Sequence, residues 1–286
     1  MTRLDIKKTY KLYIGGQFPR TESGRYYEVS DAKGNFLANA CLGSRKDFRN
    51  AVVAARKAQS GWAGRSAYNR GQILYRIGEM LEGRKAQFAS ELEQLGQSKK
   101  QANAEVENSI DRLIYYAGWC DKYQQVLSAV NPVSSAHFNF SVAEAMGVVA
   151  IIAPETQGLL GLVSTVVPAL VSGNTCIVLA SKSQALAAVS LAEVLHTSDL
   201  PGGVVNILTG DLGELYGHMA SHMDVNALIY CGAEDAIEQE IKEKAADNLK
   251  RVILYKKKDW SDPNNASPYF IEKTVEIKTN WHPTVI

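Results

Sequence analysis

Between residues 147 and 255 the chain consists of short apolar runs separated by stretches of helical length. The runs Gly147–Ala153, Thr175–Ala180, Val204–Thr209, Val225–Cys231 and Arg251–Tyr255 are rich in Val and Ile and nearly continuous in apolar content. Strands covered on both faces read this way, whereas half-exposed strands alternate. Residues 159–172, 184–195, 213–219 and 233–248 have helical composition between them. This alternation predicts an α/β fold: a Rossmann-like, doubly wound parallel sheet with helices on both faces.

Upstream, Lys11–Gly15 followed by Gly16-Gln17-Phe18 predicts a hairpin, and Tyr26–Val29 a further strand. Ser44 with Asp47 three residues on marks a helix start, with the helix reaching about Ser60. Further helices are expected from about Ser66 to Leu95, with a break near Gly83, and from about Ser98 to Leu127. In the last of these, Val106, Ile110, Leu113, Ala117 and Cys120 form one apolar stripe at spacings of four and three. After Asn131-Pro132 the period becomes two: Phe138, Phe140 and Val142 alternate with polar residues, as in a half-buried strand projecting as an arm. Residues 256–268 read as a polar surface linker. Tyr269–Thr279 reads as a strand with Val275 and Ile277 on one face and Thr274, Glu276 and Lys278 on the other.

Composition narrows the function classes. The chain has 286 residues, 46% hydrophobic and 21% charged, with a formal net charge of +1. A near-neutral chain offers no global attraction for nucleic acid or an anionic membrane. Between Glu155 and Lys182 no charge occurs, but Pro168 and the turn-like Gly173-Asn174 argue against a continuous membrane span. The first residues carry Arg3, Lys7 and Lys8 without an apolar core, so no secretory signal is expected. Cys41, Cys120, Cys176 and Cys231 are scattered, without a CxxC pair, and read as reduced packing residues of a cytoplasmic protein.

Candidate chemistry is sparse. Thr209-Gly210-Asp211-Leu212-Gly213 lies where a strand meets a helix, the place where backbone N–H groups can hold a phosphate. It has two glycines rather than the GxGxxG triple, and a tight turn needs glycine in any case. His218 and His222 have an i, i+4 spacing able to chelate zinc, but the HExxH glutamate is missing and no third ligand is evident. A surface or capping role is the expectation for the pair. Lys256-Lys257-Lys258 reads as a solvated loop, and the GxSxG nucleophile elbow does not occur.

Taken in order, the segments resemble the aldehyde dehydrogenase superfamily along almost the whole chain. Glu144-Ala145-Met146-Gly147-Val148-Val149 is similar to that family's entry into its first sheet strand. Val167–Thr175 (VPALVSGNT) resembles APALAxGNT, Leu200–Gly210 resembles LPPGVxNxVxG, and Ala220–Val225 resembles ASHxDV. The resemblance also shows departures. Where the family's PWNxP places an oxyanion-holding Asn, this chain has Thr156. The adenosine-ribose lysine falls on Leu179 and the glutamate after it on Lys182. The Gly-Ser at the phosphate-binding helix becomes Gly232-Ala233, and the general-base glutamate falls on Tyr255.

Beyond Tyr255 the family continues through a catalytic domain with its nucleophilic Cys, whereas here the chain passes within a few residues to the tail-like Thr274–Thr279. A thiohemiacetal needs a thiolate, and none of the four cysteines lies at that place. The pattern resembles the C-terminal pseudo-domain of family-16 aldehyde dehydrogenases.

The resemblance implies a nucleotide-binding-like domain over residues 1–128 and 147–258, an oligomerisation arm and tail over 129–146 and 269–286, and no catalytic domain. The expected function is a non-catalytic module for oligomerisation or partner assembly, as a homodimer or with an active aldehyde dehydrogenase. Phe138, Phe140, Val142, Val275 and Ile277 are its expected contact residues, the tail strand completing a sheet in another subunit. No cofactor is expected, and NAD or NADP binding would be weakened. Two alternatives remain open at this point. One is an NAD(P)-binding protein or oxidoreductase retaining affinity through Gly210, Gly213 and Gly232. The other is new chemistry around Glu155, Thr156 and Tyr255.

Overall fold

The computed structural model describes residue 4 and residues 6–284. Expectations resting on Arg3 and on the last two residues of the tail lie outside the described residues. Ile14 and Gln17 exchange backbone hydrogen bonds across a tight turn, as the hairpin pattern required. Gly16 there has positive φ, and a Cβ on it would lie 2.8 Å from the Gly202 Cα, so turn and packing both demand glycine.

Strands β1 (Tyr26–Ser30) and β2 (Phe36–Cys41) pair antiparallel. Ser44 and Asp47 then form the reciprocal cap of α1 (Arg45–Ala63). Next come α2 (Ala67–Gly83), α3 (Lys85–Gln94) and α4 (Lys99–Ala117), with the expected break beside Gly83. The long helix predicted to reach Leu127 instead ends at the Gly118 C-cap, and α5 (Tyr123–Leu127) is a separate turn. Strands β3 (Ala129–Asn131) and β4 (His137–Ala145) form the arm.

The central unit runs β5 (Val148–Ile152), α6 (Gly158–Val171), β6 (Thr175–Leu179), α7 (Ala185–His196) and β7 (Val205–Leu208). It continues with α8 (Leu212–Ser221), β8 (Ala227–Tyr230), α9 (Asp235–Ala246) and β9 (Arg251–Leu254). The five strands are parallel in the order β7-β6-β5-β8-β9. Val148, Ala150 and Ile152 pack toward α1, α8 and α9, while Val149 and Ile151 pack toward the layer containing α4, α6 and α7. Both faces are therefore covered, which accounts for the continuous apolar runs. The charge-free run between Glu155 and Lys182 divides into buried α6, a turn and β6. Among the described residues no helix is long and apolar enough to cross a membrane.

Beyond β9 the structure departs from the sequence reading. The segment expected to pass over the surface is anchored in the core by Trp260, which is 1% exposed. The Trp260 and Phe270 rings lie 5.8 and 4.9 Å from that of Tyr255. Buried Arg112 of α4 donates to Ser164 Oγ at 2.7 Å, to Asn265 O at 2.6 Å and to Trp260 O at 3.0 Å. Gly161 makes room for this packing, since a Cβ on it would approach Trp260 Cδ1 to 3.1 Å. The strand expected from Tyr269 begins only at Val275. Residues 269–272 form a helical turn, α10 (Tyr269–Glu272), which sinks Phe270 and Ile271 into the core.

Strand β10 (Val275–Pro283) pairs antiparallel with β4 of the same chain, from Val275 opposite Ala145 to Pro283 opposite His137. Through one edge this strand finds a partner in its own chain, and its other edge carries no strand among the described residues. The register also divides the expected contact residues. Phe138, Phe140 and Val142 share one face of the arm sheet, while Val275 and Ile277 lie on the other, because side chains alternate along each strand. Val275, 2% exposed, belongs to the core and is withdrawn from any association surface.

Replacing Arg112 with Met would leave three acceptors without their donor, two of them in the buried residues Ser164 and Trp260. We expect a loss of roughly 3 kcal/mol in urea unfolding and loosening of Trp260 fluorescence before the global transition.

Candidate functional site

In this strand order, the connection after β5 leads to α6 on one face and that after β8 leads to α9 on the other. Where such connections diverge, a crevice opens at the carboxyl edge of the sheet. Here it is a cleft of 430 Å³, and the structure brings Thr156, Leu179, Lys182, Gly210, Gly232, Ala233 and Tyr255 together along its walls. Gly213 is outside the lining; its N–H is taken by Asp211 Oδ1 at 2.9 Å, which caps α8.

The glycines have packing explanations. A Cβ on Gly232 would lie 2.3 Å from the Tyr230 hydroxyl, and one on Gly210 would lie 3.3 Å from Gly43 N. Gly43 N–H donates to Thr209 O at 2.8 Å, holding the entry of α1 against the end of β7. Three of the charged groups, Lys182, Asp211 and Glu155, are also engaged by the protein. Lys182 Nζ meets Asp211 Oδ2 at 3.1 Å, and that hydrogen bond holds the Asp211 carboxyl below the usual carboxylate range.

Glu155 does not stand alone beside the sheet. Its carboxylate accepts from Ser181 Oγ at 2.9 Å, Ser183 Oγ at 3.1 Å, and the N–H groups of Lys182 at 3.0 Å and Ser183 at 3.2 Å. It clasps the turn after β6, leaving no arrangement that links it to Thr156 and Tyr255 for acid–base work. Tyr255 is buried between Trp260 and Phe270, and burial pushes its phenol well above the ordinary tyrosine range.

All four cysteines are free and buried. Cys231 lines the cleft floor, where desolvation raises its thiol pKa strongly. Cys176 is raised in the same way, and Cys120 is pushed up to about 12 by burial. A nucleophilic cysteine needs the opposite shift. Among the described residues no group of three or more His, Cys, Asp or Glu is placed to hold a metal ion.

A dinucleotide needs a phosphate cradle, a polar ribose contact and room for its reactive ring. One part is present: α9 begins without a side-chain cap, so its first N–H groups lie beside Gly232 and Ala233. The remainder does not fit. Leu179 has no polar atom for a ribose, the Glu155, Asp211 and Glu234 carboxylates line the same cleft, and Tyr255 with Trp260 forms its far wall. The residues suit an anion at one point rather than a dinucleotide along its length.

The sequence reading missed Cys231 as floor and Trp260 as wall. Trp260 lies in a polar, proline-containing run, and its isolation among charged residues was the available sign of burial.

These features define a protein of the dinucleotide-fold class with a cleft at the carboxyl edge of its parallel sheet. The sequence pattern of the aldehyde dehydrogenase family matches residues 18–255, and the chain belongs to that family. DhaS of Bacillus subtilis (strain 168) is 33% identical over 258 residues, spanning 87% of this chain and 50% of its own. The mitochondrial 10-formyltetrahydrofolate dehydrogenase of Homo sapiens is 30% identical, spanning 87% of this chain and 28% of its own. PnpE from Pseudomonas sp. WBC-3 superposes with a TM-score of 0.82 at 26% identity, over 86% of this chain and 50% of its own. A second PnpE structure, a complex with nicotinamide adenine dinucleotide, matches equally well. The chain thus spans about half the length of DhaS and PnpE.

The buried, undissociated thiols generate a prediction. At pH 7.5 the native chain should react with iodoacetamide at Cys231, Cys176 and Cys120 at least about 100-fold more slowly than in urea, read by peptide mass mapping.

Proposed function

We propose that this chain is a non-catalytic member of the aldehyde dehydrogenase family that serves oligomerisation or partner assembly. The observation that carries this reading is the three-stranded arm sheet of β3, β4 and β10. Its Phe138 face includes Phe140, Val142 and Val130, with Phe138 46% and Val130 69% exposed. A sheet face with an apolar strip on β3 and β4, bordered by Lys278, Asn280 and His282 of β10 and with free edges on β3 and β10, is suited to a second protein surface. The occupant is a second copy of this chain or an active aldehyde dehydrogenase. The raised pKa of the buried thiols, Cys231 of the cleft among them, supports the non-catalytic half of the reading.

Val130→Lys with Phe138→Lys changes only exposed positions, so the fold should survive. We expect light scattering at low micromolar concentration to give a smaller species than the unaltered chain, alone or mixed with an active dehydrogenase. Equal masses for both proteins in both conditions would refute the assembly role.

A second reading, residual NAD(P) binding, is favoured by one observation, the uncapped start of α9. The complex with nicotinamide adenine dinucleotide is one of PnpE, and for this chain each lost polar contact costs about 1–3 kcal/mol. Calorimetry should therefore give NAD and NADP dissociation constants weaker than about 1 mM. Micromolar binding would instead support this second reading.

A further inference from the structure

A second concave site lies at the other end of α8, about 15 Å along the helix from the cleft. It is a pocket of 300 Å³ between α1 and the end of α8, floored by Phe48. Arg45 and Arg49 project into it from one turn of α1; His218, Ser221 and His222 face them from α8 and its C-cap. No carboxylate lines it. Arg45 and Arg49 make no ion pair or hydrogen bond with any described residue, although arginines elsewhere in the chain do, as in Arg25–Glu214 and Arg251–Glu276.

We propose that this pocket binds a phosphate dianion, either free or as the terminal phosphomonoester of a small molecule. Two guanidinium forks supply planar pairs of donors, which match tetrahedral oxyanions. The Ser221 hydroxyl adds a neutral donor, and the imidazoles add charge when protonated. Helix carbonyls would oppose an anion at this end of α8, but Lys250 removes that obstacle. Its buried ammonium donates to Met219 O at 3.2 Å, Ala220 O at 2.5 Å and His222 O at 3.0 Å.

The imidazoles and Lys250, whose ammonium pKa burial lowers to about 8, together set the pH response. His218 is held below the ordinary histidine range by desolvation, by Arg45 of α1 and by Lys244 of α9. His222 is lowered by desolvation, raised by Asp224, and lowered again by Lys250 and Arg49. The His222 ring also stacks edge-on against Phe48, with centroids 5.7 Å apart, and its Nδ1 accepts from Asp224 N–H. Both rings are thus biased toward the neutral form in the free protein. An anion between them and the arginines favours the protonated rings, so affinity rises as pH falls.

Titration of the full chain with sodium sulfate at constant ionic strength tests the site, read by calorimetry and by the imidazole NMR signals of His218 and His222. Sulfate keeps its double charge across the range, so the pH effect belongs to the protein. We expect saturable binding at least about tenfold tighter near pH 5.5 than near pH 8. Arg45→Met with Arg49→Met should weaken it at least about tenfold, and Lys182→Met, in the sheet-edge cleft, should leave it unchanged. Inorganic phosphate and glycerol 2-phosphate at about pH 8 then separate the sources. Tighter binding of the ester supports a phosphomonoester ligand, and equal or tighter binding of phosphate supports the free ion. Non-saturating shifts, binding that survives the double arginine change, or binding lost with Lys182→Met would overturn the proposal.

Discussion

A guanidinium in an apolar interior needs acceptors, and the rest of this structure depends on how Arg112 finds them. It reaches Ser164 on α6 and two carbonyls of the segment beyond β9. Removing a buried charge from water is tolerated only when its donors are well used. Through these bonds the chain end is drawn onto α6, where Gln157 also holds it, donating to Asp259 and accepting from Trp260 N–H. Trp260 and Phe270 then cover Tyr255, and α10 delivers the chain to β10. Residues 255–274 thereby close the core and connect sheet to arm in one short path.

The cleft follows from the same economy of polar groups. A parallel sheet with diverging connections makes a crevice whatever the side chains do. Chemistry there requires polar groups that are free to meet a ligand. In this chain several of them are tied to the protein: Lys182 to Asp211, Glu155 to the turn at 181–183, and Tyr255 to its aromatic neighbours. The family scaffold persists because it is fixed by backbone pairing and apolar packing, which tolerate changes at the reactive positions. The pocket at the far end of α8 has the opposite character, with arginines lacking carboxylate partners.

The arm shows how one register decides an interface. Asn131 donates to Asn139 at 2.7 Å and to Ser141 at 2.9 Å, and Ser141 meets Thr279 at 2.8 Å, so one face carries a polar ladder. The alternate positions put Phe138, Phe140, Val142 and Val130 on the reverse. Shifting the pairing by one residue would exchange the two faces.

The sequence alone determined the α/β class, the five sheet strands, the capping box at Ser44 and the break near Gly83. Each is local: burial on both faces makes a continuous apolar run, and a cap needs only residues three apart. It also determined the family, through motifs spread from Gly147 to Val225, and it singled out Thr156, Leu179, Lys182, Ala233 and Tyr255 as candidate site positions. Tertiary structure alone decided what those positions do now. Nothing local in the polar run 256–268 announces that Trp260 is core, because its partners Arg112 and Gln157 lie more than a hundred residues away. Likewise, alternation predicted β10, but only its pairing with β4 could assign its faces and bury Val275. Period and propensity are properties of neighbours in sequence, whereas burial of a lone aromatic ring, the partner of a charge and the facing of a strand are fixed by residues brought together from afar.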